Sequence, residues 1–194
     1  MPHTIQDFKS TLIGGGARPN LFEVVLTNEF PGSEGYDAED FSILCKAAQL
    51  PASNIASIDV PFRGRIFKVA GDRTFDTWTV TVINDNNFNI RTAMERWMQS
   101  IGQYADGSGF TDPADYQVDA IVKQFRRVDS NTNNNAVTGG GMEEVKQYKF
   151  YSIFPTNISA IDLSYDSADT IEEFTVEFQV QYWSPFTGEN WSTK

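Results

Sequence analysis

Thr170-Ile171-Glu172-Glu173-Phe174-Thr175-Val176-Glu177-Phe178-Gln179-Val180-Gln181-Tyr182-Trp183 is the stretch that decides the fold class. Phe174, Val176, Phe178, Val180 and Tyr182 take every second position, and Glu173, Thr175, Glu177, Gln179 and Gln181 alternate with them. Successive side chains of a strand point to opposite faces, so the stretch reads as one long strand with a dry face and a wet, acidic face. The same alternation recurs over residues 76–82. There Trp78, Val80 and Val82 face one way, and Thr77, Thr79 and Thr81 the other. Strands wet on one side only belong to an antiparallel sheet that covers a core with its other side.

Outward from these two strands, residues 20–28 read as a strand, and the apolar run 41–50 ends at Pro51. Residues 55–60 and 65–69 flank Arg63-Gly64, the pattern of a hairpin, and Ala70-Gly71-Asp72-Arg73 reads as a further turn. A strand is expected at 116–125 and its return at 144–154. Pro155-Thr156-Asn157 then reads as a turn, and 158–165 as another strand.

Over residues 88–101 the period changes. Ile90, Met94, Trp97, Met98 and Ile101 form one helical stripe, with Arg91 and Glu95 paired at i,i+4 on another face. A Met and Trp stripe of this kind packs on a sheet, and the polar residues 84–87 suit its cap. The sequence thus predicts a mainly β chain: an antiparallel β-sandwich or barrel with one flanking helix at about 88–101. Residues 1–194 read as a single domain. It has an N-terminal arm 1–16, long loops at 29–40 and 128–142, and a polar tail 184–194. Within the arm, Thr4 and Asp7 cap a short helix over residues 4–12, and Gly14-Gly15-Gly16 ends it.

The formal net charge is -11. A chain this acidic stays soluble and repels polyanions, which argues against sequence-specific nucleic-acid binding. Cys45 is the only cysteine and His3 the only histidine, so an internal disulfide and a three-His or Cys/His zinc site are arithmetically excluded. Cys45 reads as a small buried apolar residue. His3 sits close to the N-terminus, poorly placed for a catalytic triad. The carboxylates Glu143-Glu144, Glu172-Glu173 and Glu177 invite comparison with a glycosidase pair, yet Glu173 and Glu177 lie on the wet face of a regular strand, where solvation suffices. No enzyme activity, metal or cofactor is expected. Residues 1–16 lack the pattern of a signal peptide, and no run approaches the ~20 apolar residues of a membrane span.

Residues 45–51, Cys-Lys-Ala-Ala-Gln-Leu-Pro, then 69–82, Val-Ala-Gly-Asp-Arg-Thr-Phe-Asp-Thr-Trp-Thr-Val-Thr-Val, and Asn84-Asp85 resemble the tail tube proteins of contractile-tailed, myovirus-type bacteriophages. Residues 17–22 look like the start of that family; Pro155-Thr156-Asn157-Ile158 and the strand 174–183 look like its end. The resemblance implies a structural subunit. Six copies would close into rings that stack into a hollow tube, with strands of all six joined in one inner β-barrel that conducts viral DNA. It implies a sheath protein around the tube, baseplate and tail-terminator proteins at its ends, synthesis in the host cytoplasm and residence in the virion tail. Lumen-facing candidates are Thr77, Thr79 and Thr81, or Glu173 and Glu177. Inter-ring or inter-subunit candidates are Arg63, Arg65, Lys68, Asp72 and Arg73. Alternatives are the inner tube of a phage-derived injection or secretion system carrying protein effectors, a monomeric glycan-binding adhesin, and a hydrolase using paired acids.

Overall fold

The computed structural model describes residues 4–12, 16–27, 29–127 and 142–186. The two strands that open the reading lie side by side: β5 (Trp78–Ile83) pairs antiparallel with β8 (Glu173–Gln179). A short edge strand, β2 (Cys45–Ala48), pairs with β5 on its other side. The 17-residue strand β7 (Met142–Ile158) belongs to two sheets. Its first part pairs with β6 (Val118–Arg127), and β6 with β1 (Phe22–Leu26). Its last residues, from Phe154 to Ile158, pair with β8 instead. The final strand, β9 (Tyr182–Phe186), lies along β7 opposite β6. The result is a sandwich of a β1-β6-β7-β9 sheet and a β7-β8-β5-β2 sheet, joined through β7.

The join has a local cause. Ser152 has φ +53, and its N–H donates to the Asp119 carboxylate at 3.1 Å, where the β6–β7 register slips between Val118 and Ala120. Bulges of this kind bend a strand and increase its twist. Pro155 follows and is read more naturally as a turn residue. Here it stands opposite Phe178 and next to a second register slip, the kind of irregularity at which sheets accept proline. The turn expected at 155–157 is therefore absent. Residues 158–165 do not form a strand either: β7 ends at Ile158 and the chain runs without regular structure to β8. The long strand at 170–183 is also divided, because the chain turns at Gln181 to pass from β8 into the opposite sheet as β9.

Trp78, Val80 and Val82 of β5 and Phe174, Val176 and Phe178 of β8 are all buried, as the alternation requires. Trp78 stacks on Phe150 of β7, ring centroids 4.4 Å apart, which ties the two sheets. Helix α3 (Asn89–Ile101) closes the core with Ile90, Ala93, Met94 and Trp97. Asp85 accepts from the Asn89 N–H at its start, and Arg91 bonds Glu95 as expected. The arm helix α1 (Ile5–Thr11) has the expected capping box of Thr4 and Asp7. Its apolar residues Ile5, Phe8 and Leu12 remain exposed.

The stretch 29–40 contributes to the core and is not a plain loop. Phe30 stacks on Trp97 at 4.6 Å, and Tyr36 is buried beside it. Asp37, within the stretch expected to be a loop, caps α2 (Ala38–Leu44) by accepting from the Glu39 N–H. Gly32 adopts φ +86, and a Cβ there would sit 2.5 Å from the Arg96 Cβ. Replacing Gly32 by alanine adds left-handed strain to this clash, an expected loss of about 2–4 kcal/mol. Urea unfolding monitored by Trp fluorescence measures it; an unchanged midpoint contradicts the packing. The loop 128–142 lies outside the described residues except for Met142, which starts β7, and the tail beyond Phe186 with Trp191 lies outside as well.

Candidate functional site

Among the described residues no cluster of three or more potential metal ligands exists. Glu143 pairs with Arg126, Glu172 accepts from the Asn84 side chain, and Glu173 pairs with Lys46. Three of the acids singled out, Glu143, Glu172 and Glu173, thus have structural partners. Cys45 is half-buried, and desolvation pushes its thiol up to about 12, which leaves it protonated and unreactive at neutral pH. The chemistry of this molecule is on its surfaces.

The first surface is the wet side of the β7-β8-β5-β2 sheet. Thr79 stands opposite Glu177, Thr81 opposite Thr175, and Ile83 opposite Glu173. The threonine face and the glutamate face, read from the sequence as two possibilities, are one continuous face. The Thr81 and Thr175 hydroxyls lie 3.3 Å apart, and Lys46 reaches Glu173 from the neighbouring β2 side. Glu177 makes no ion pair among the described residues. Thr77 precedes β5 and is exposed.

The second surface is a set of free strand borders. Among the described residues β1, β2 and β9 each pair on one side only. β2 is a border of the polar-faced sheet, and a shallow cleft beside it is lined by Phe22, Ile43, Cys45 and Ala47. An unpaired border presents N–H and C=O groups that a neighbouring chain can complete.

The third surface is a separate two-stranded hairpin, β3 (Ser53–Phe62) and β4 (Arg65–Phe75), inserted between β2 and β5. All five basic and acidic residues singled out for assembly, Arg63, Arg65, Lys68, Asp72 and Arg73, lie on it. The turn expected at 70–73 does not exist, because β4 runs straight through to Phe75. Gly71 marks a bulge instead: the register slips between Ile55 and Ser57, and a Cβ at Gly71 would approach the Ala56 carbonyl to 3.1 Å. Ile58 faces Val69 and Val60 faces Phe67, so one side of the hairpin carries an apolar patch that ends at the Phe62–Arg65 pair, yet all four residues are exposed. On the other side Lys68 pairs with Asp59 at 2.9 Å. An isolated two-stranded hairpin is at best marginal in water, and an uncovered apolar face calls for a partner.

One surface has no counterpart in the sequence reading. Residues 159–172 run without regular structure, with Ile161 packed against the core and Leu163, Tyr165 and Ile171 all exposed. The signal available was Asp162, Asp166 and Asp169 spaced through an apolar pattern, which breaks the strand expected there.

Residues 17–185 match the phage tail tube protein family. The chain is 38% identical over 172 residues to the tail tube protein gp19 of Enterobacteria phage T4, covering 88% of this chain and 92% of that one. It is 24% identical over 178 residues to the tail tube protein of Serratia phage KSP90, covering 91% and 93%. Among solved structures, its fold is similar to the sheath/tube terminator of an extracellular contractile injection system, with TM-score 0.59 and 14% identity over 89% of this chain and 97% of that one. It is equally similar to the tube-terminating cap of the anti-feeding prophage, with TM-score 0.59 and 17% identity over 89% and 92%.

Proposed function

Because this chain belongs to the phage tail tube protein family, a family of structural subunits, we propose that six copies close into rings that stack as a hollow tube lined by the β7-β8-β5-β2 sheet. The chain acts as one tube domain, carrying its arm 1–16, the 128–142 loop and the tail 184–194. The observation that carries the reading is the merged wet face: Thr79, Thr81, Thr175, Glu173 and Glu177 share one side of a four-stranded sheet whose β2 border is free. Six copies of four strands make about 24, a barrel with room for an aqueous channel. Completing each border with the next copy in a closed ring removes the exposed edges.

A channel wall of hydroxyls and carboxylates, on which Lys46 is paired with Glu173, gives duplex DNA little to hold it, since phosphates are retained chiefly by free Lys and Arg. DNA passes without specific binding. The sheath encloses the tube, and baseplate and terminator proteins meet its ends. The identity to phage tail tube proteins favours DNA as cargo over protein effectors. The hairpin β3–β4, with Arg63, Arg65, Lys68, Asp72 and Arg73, is the contact between successive rings.

The test is Glu177→Lys in the phage. Six lysines per ring along the whole tube create a cationic track, and genome release should slow by on the order of tenfold or more while virions keep normal tails. Release kinetics with a DNA dye after receptor triggering read this out. Wild-type release from intact variant virions removes Glu177 from the lumen.

A further inference from the structure

The geometry points to the receptor for the hairpin: we propose that the β3–β4 hairpin of one copy docks on the 159–172 segment of the copy in the next ring. The proposal rests on the stacking reading above and names the surface that stacking uses. Three observations carry it.

The first is position. β5 begins at Trp78, directly after the hairpin, and ends at Ile83. β8 runs antiparallel to it, so Glu173, where the 159–172 segment enters β8, stands opposite Ile83. The Asn84 N–H donates to the Glu172 carbonyl at 2.9 Å and fixes the segment at that end. The hairpin and the segment therefore leave opposite ends of one sheet, about 17 Å apart along β5. A translation along the strands brings the hairpin of one copy to the segment of the next. That contact is heterologous and does not close on itself, so it repeats without limit, as stacking requires.

The second is charge. The hairpin holds Arg63, Arg65, Lys68 and Arg73 against Asp59 and Asp72, and its only internal ion pair among the described residues is Lys68 with Asp59. The tip therefore offers two arginines, at 63 and 65. The 159–172 segment holds Asp162, Asp166, Asp169 and Glu172 with no Lys or Arg. In a chain of net charge -11, a locally basic projection meets a locally acidic one. Opposite fields of this kind orient partners and reject the reversed stack.

The third is apolar surface. At the hairpin tip Phe62 and Ile66 are each 64% exposed. On the segment Leu163 is 81% exposed, and Tyr165 lies free of any packing. Both surfaces carry side chains that water disfavours, flanked by Arg63 and Arg65 on the hairpin tip and by Asp162 and Asp166 on the segment. The occupant of each is a second copy of the same chain.

The experiment uses the full chain assembled into tubes. Arg63→Glu with Arg65→Glu, and separately Asp162→Lys with Asp166→Lys, should each cut the number of tubes in negative-stain images at least about tenfold. The four changes together should restore most of the wild-type yield, because the charges are exchanged and not removed. A second measurement places Phe62→Cys and Leu163→Cys in one chain with Cys45→Ser. Oxidised tubes should run as a ladder extending beyond the dimer, since each copy is joined above and below. If the wild-type chain builds no tubes, the stacking reading itself fails. If it builds tubes but the two reversals do not rescue each other and no ladder forms, the hairpin docks elsewhere and only this inference is overturned. Unaffected tubes in either reversal overturn it too.

Discussion

Trp97→Ala should lower stability by about 3–5 kcal/mol and the unfolding temperature by on the order of 10 °C. Trp97 is completely buried. Its indole N–H donates to the Tyr116 carbonyl at 2.8 Å, its ring stacks on Phe30 at 4.6 Å, and it lies 6.0 Å from Phe178. One side chain thus joins α3, the 29–40 stretch and β8. Truncation leaves a cavity and strands the Tyr116 carbonyl, and the two costs add. Against a total of about 5–15 kcal/mol typical of folded domains, the loss leaves little soluble chain at 37 °C. Trp97→Phe keeps most of the ring volume and loses the hydrogen bond, so it should cost less than half as much. Equilibrium urea unfolding of both variants measures the difference; a Trp97→Ala loss below about 1 kcal/mol contradicts this account of the core.

Excising residues 53–75, so that Ala52 joins Asp76, should abolish tubes while leaving the subunit folded. β2 and β5 are antiparallel neighbours, with Ala48 opposite Val80. The deletion leaves a six-residue connection, 49–52 and 76–77, which suits a hairpin loop. Among the described residues the hairpin's strands pair only with each other, and its ties to the body include the edge contact of Phe75 with Trp183 at 6.1 Å and the hydrogen bonds from the Asn54 side chain to the Asp76 carboxylate. Removing it takes away an exposed apolar sheet and leaves the buried cluster whole. The unfolding temperature should therefore change by only a few degrees. If the hairpin joins rings, no stack survives its loss. Circular dichroism with negative-stain imaging gives both readouts, and full-length tubes from the excised chain would remove the hairpin from assembly.

What the sequence disclosed was local and periodic. β5, β8 and α3 each have one wet and one dry side, so their periods of two and 3.6 stand out in the residue string. The capping box of Thr4 and Asp7 is short-range and was legible for the same reason. The errors came where distant parts of the chain decide the outcome. Pro155 looks like a turn until β8 is known to receive β7 beyond the Ser152 corner. Gly71 looks like a turn until Ala56 is found pressed against it. Asp37 and Glu39 fall in the stretch read as a long loop, yet they start a helix that buries Phe41. The union of the threonine and glutamate faces depends on a register between residues 94 apart in sequence. No periodicity contains that information. The five hairpin residues were located together because they are neighbours in the chain; their acidic counterpart at 159–172 was missed because a strand was expected there.

The central claim is that copies of this chain enclose a watery channel with the β5–β8 polar face turned inward. Electron cryo-microscopy of tubes assembled from the full chain tests it directly. The expected map is a hollow six-fold cylinder in which Thr79, Thr81 and Glu177 project into the hole and the β1-β6 face lies outside. A cylinder lined by the other sheet, or purified chain that forms no cylinder even when offered a baseplate, would contradict it.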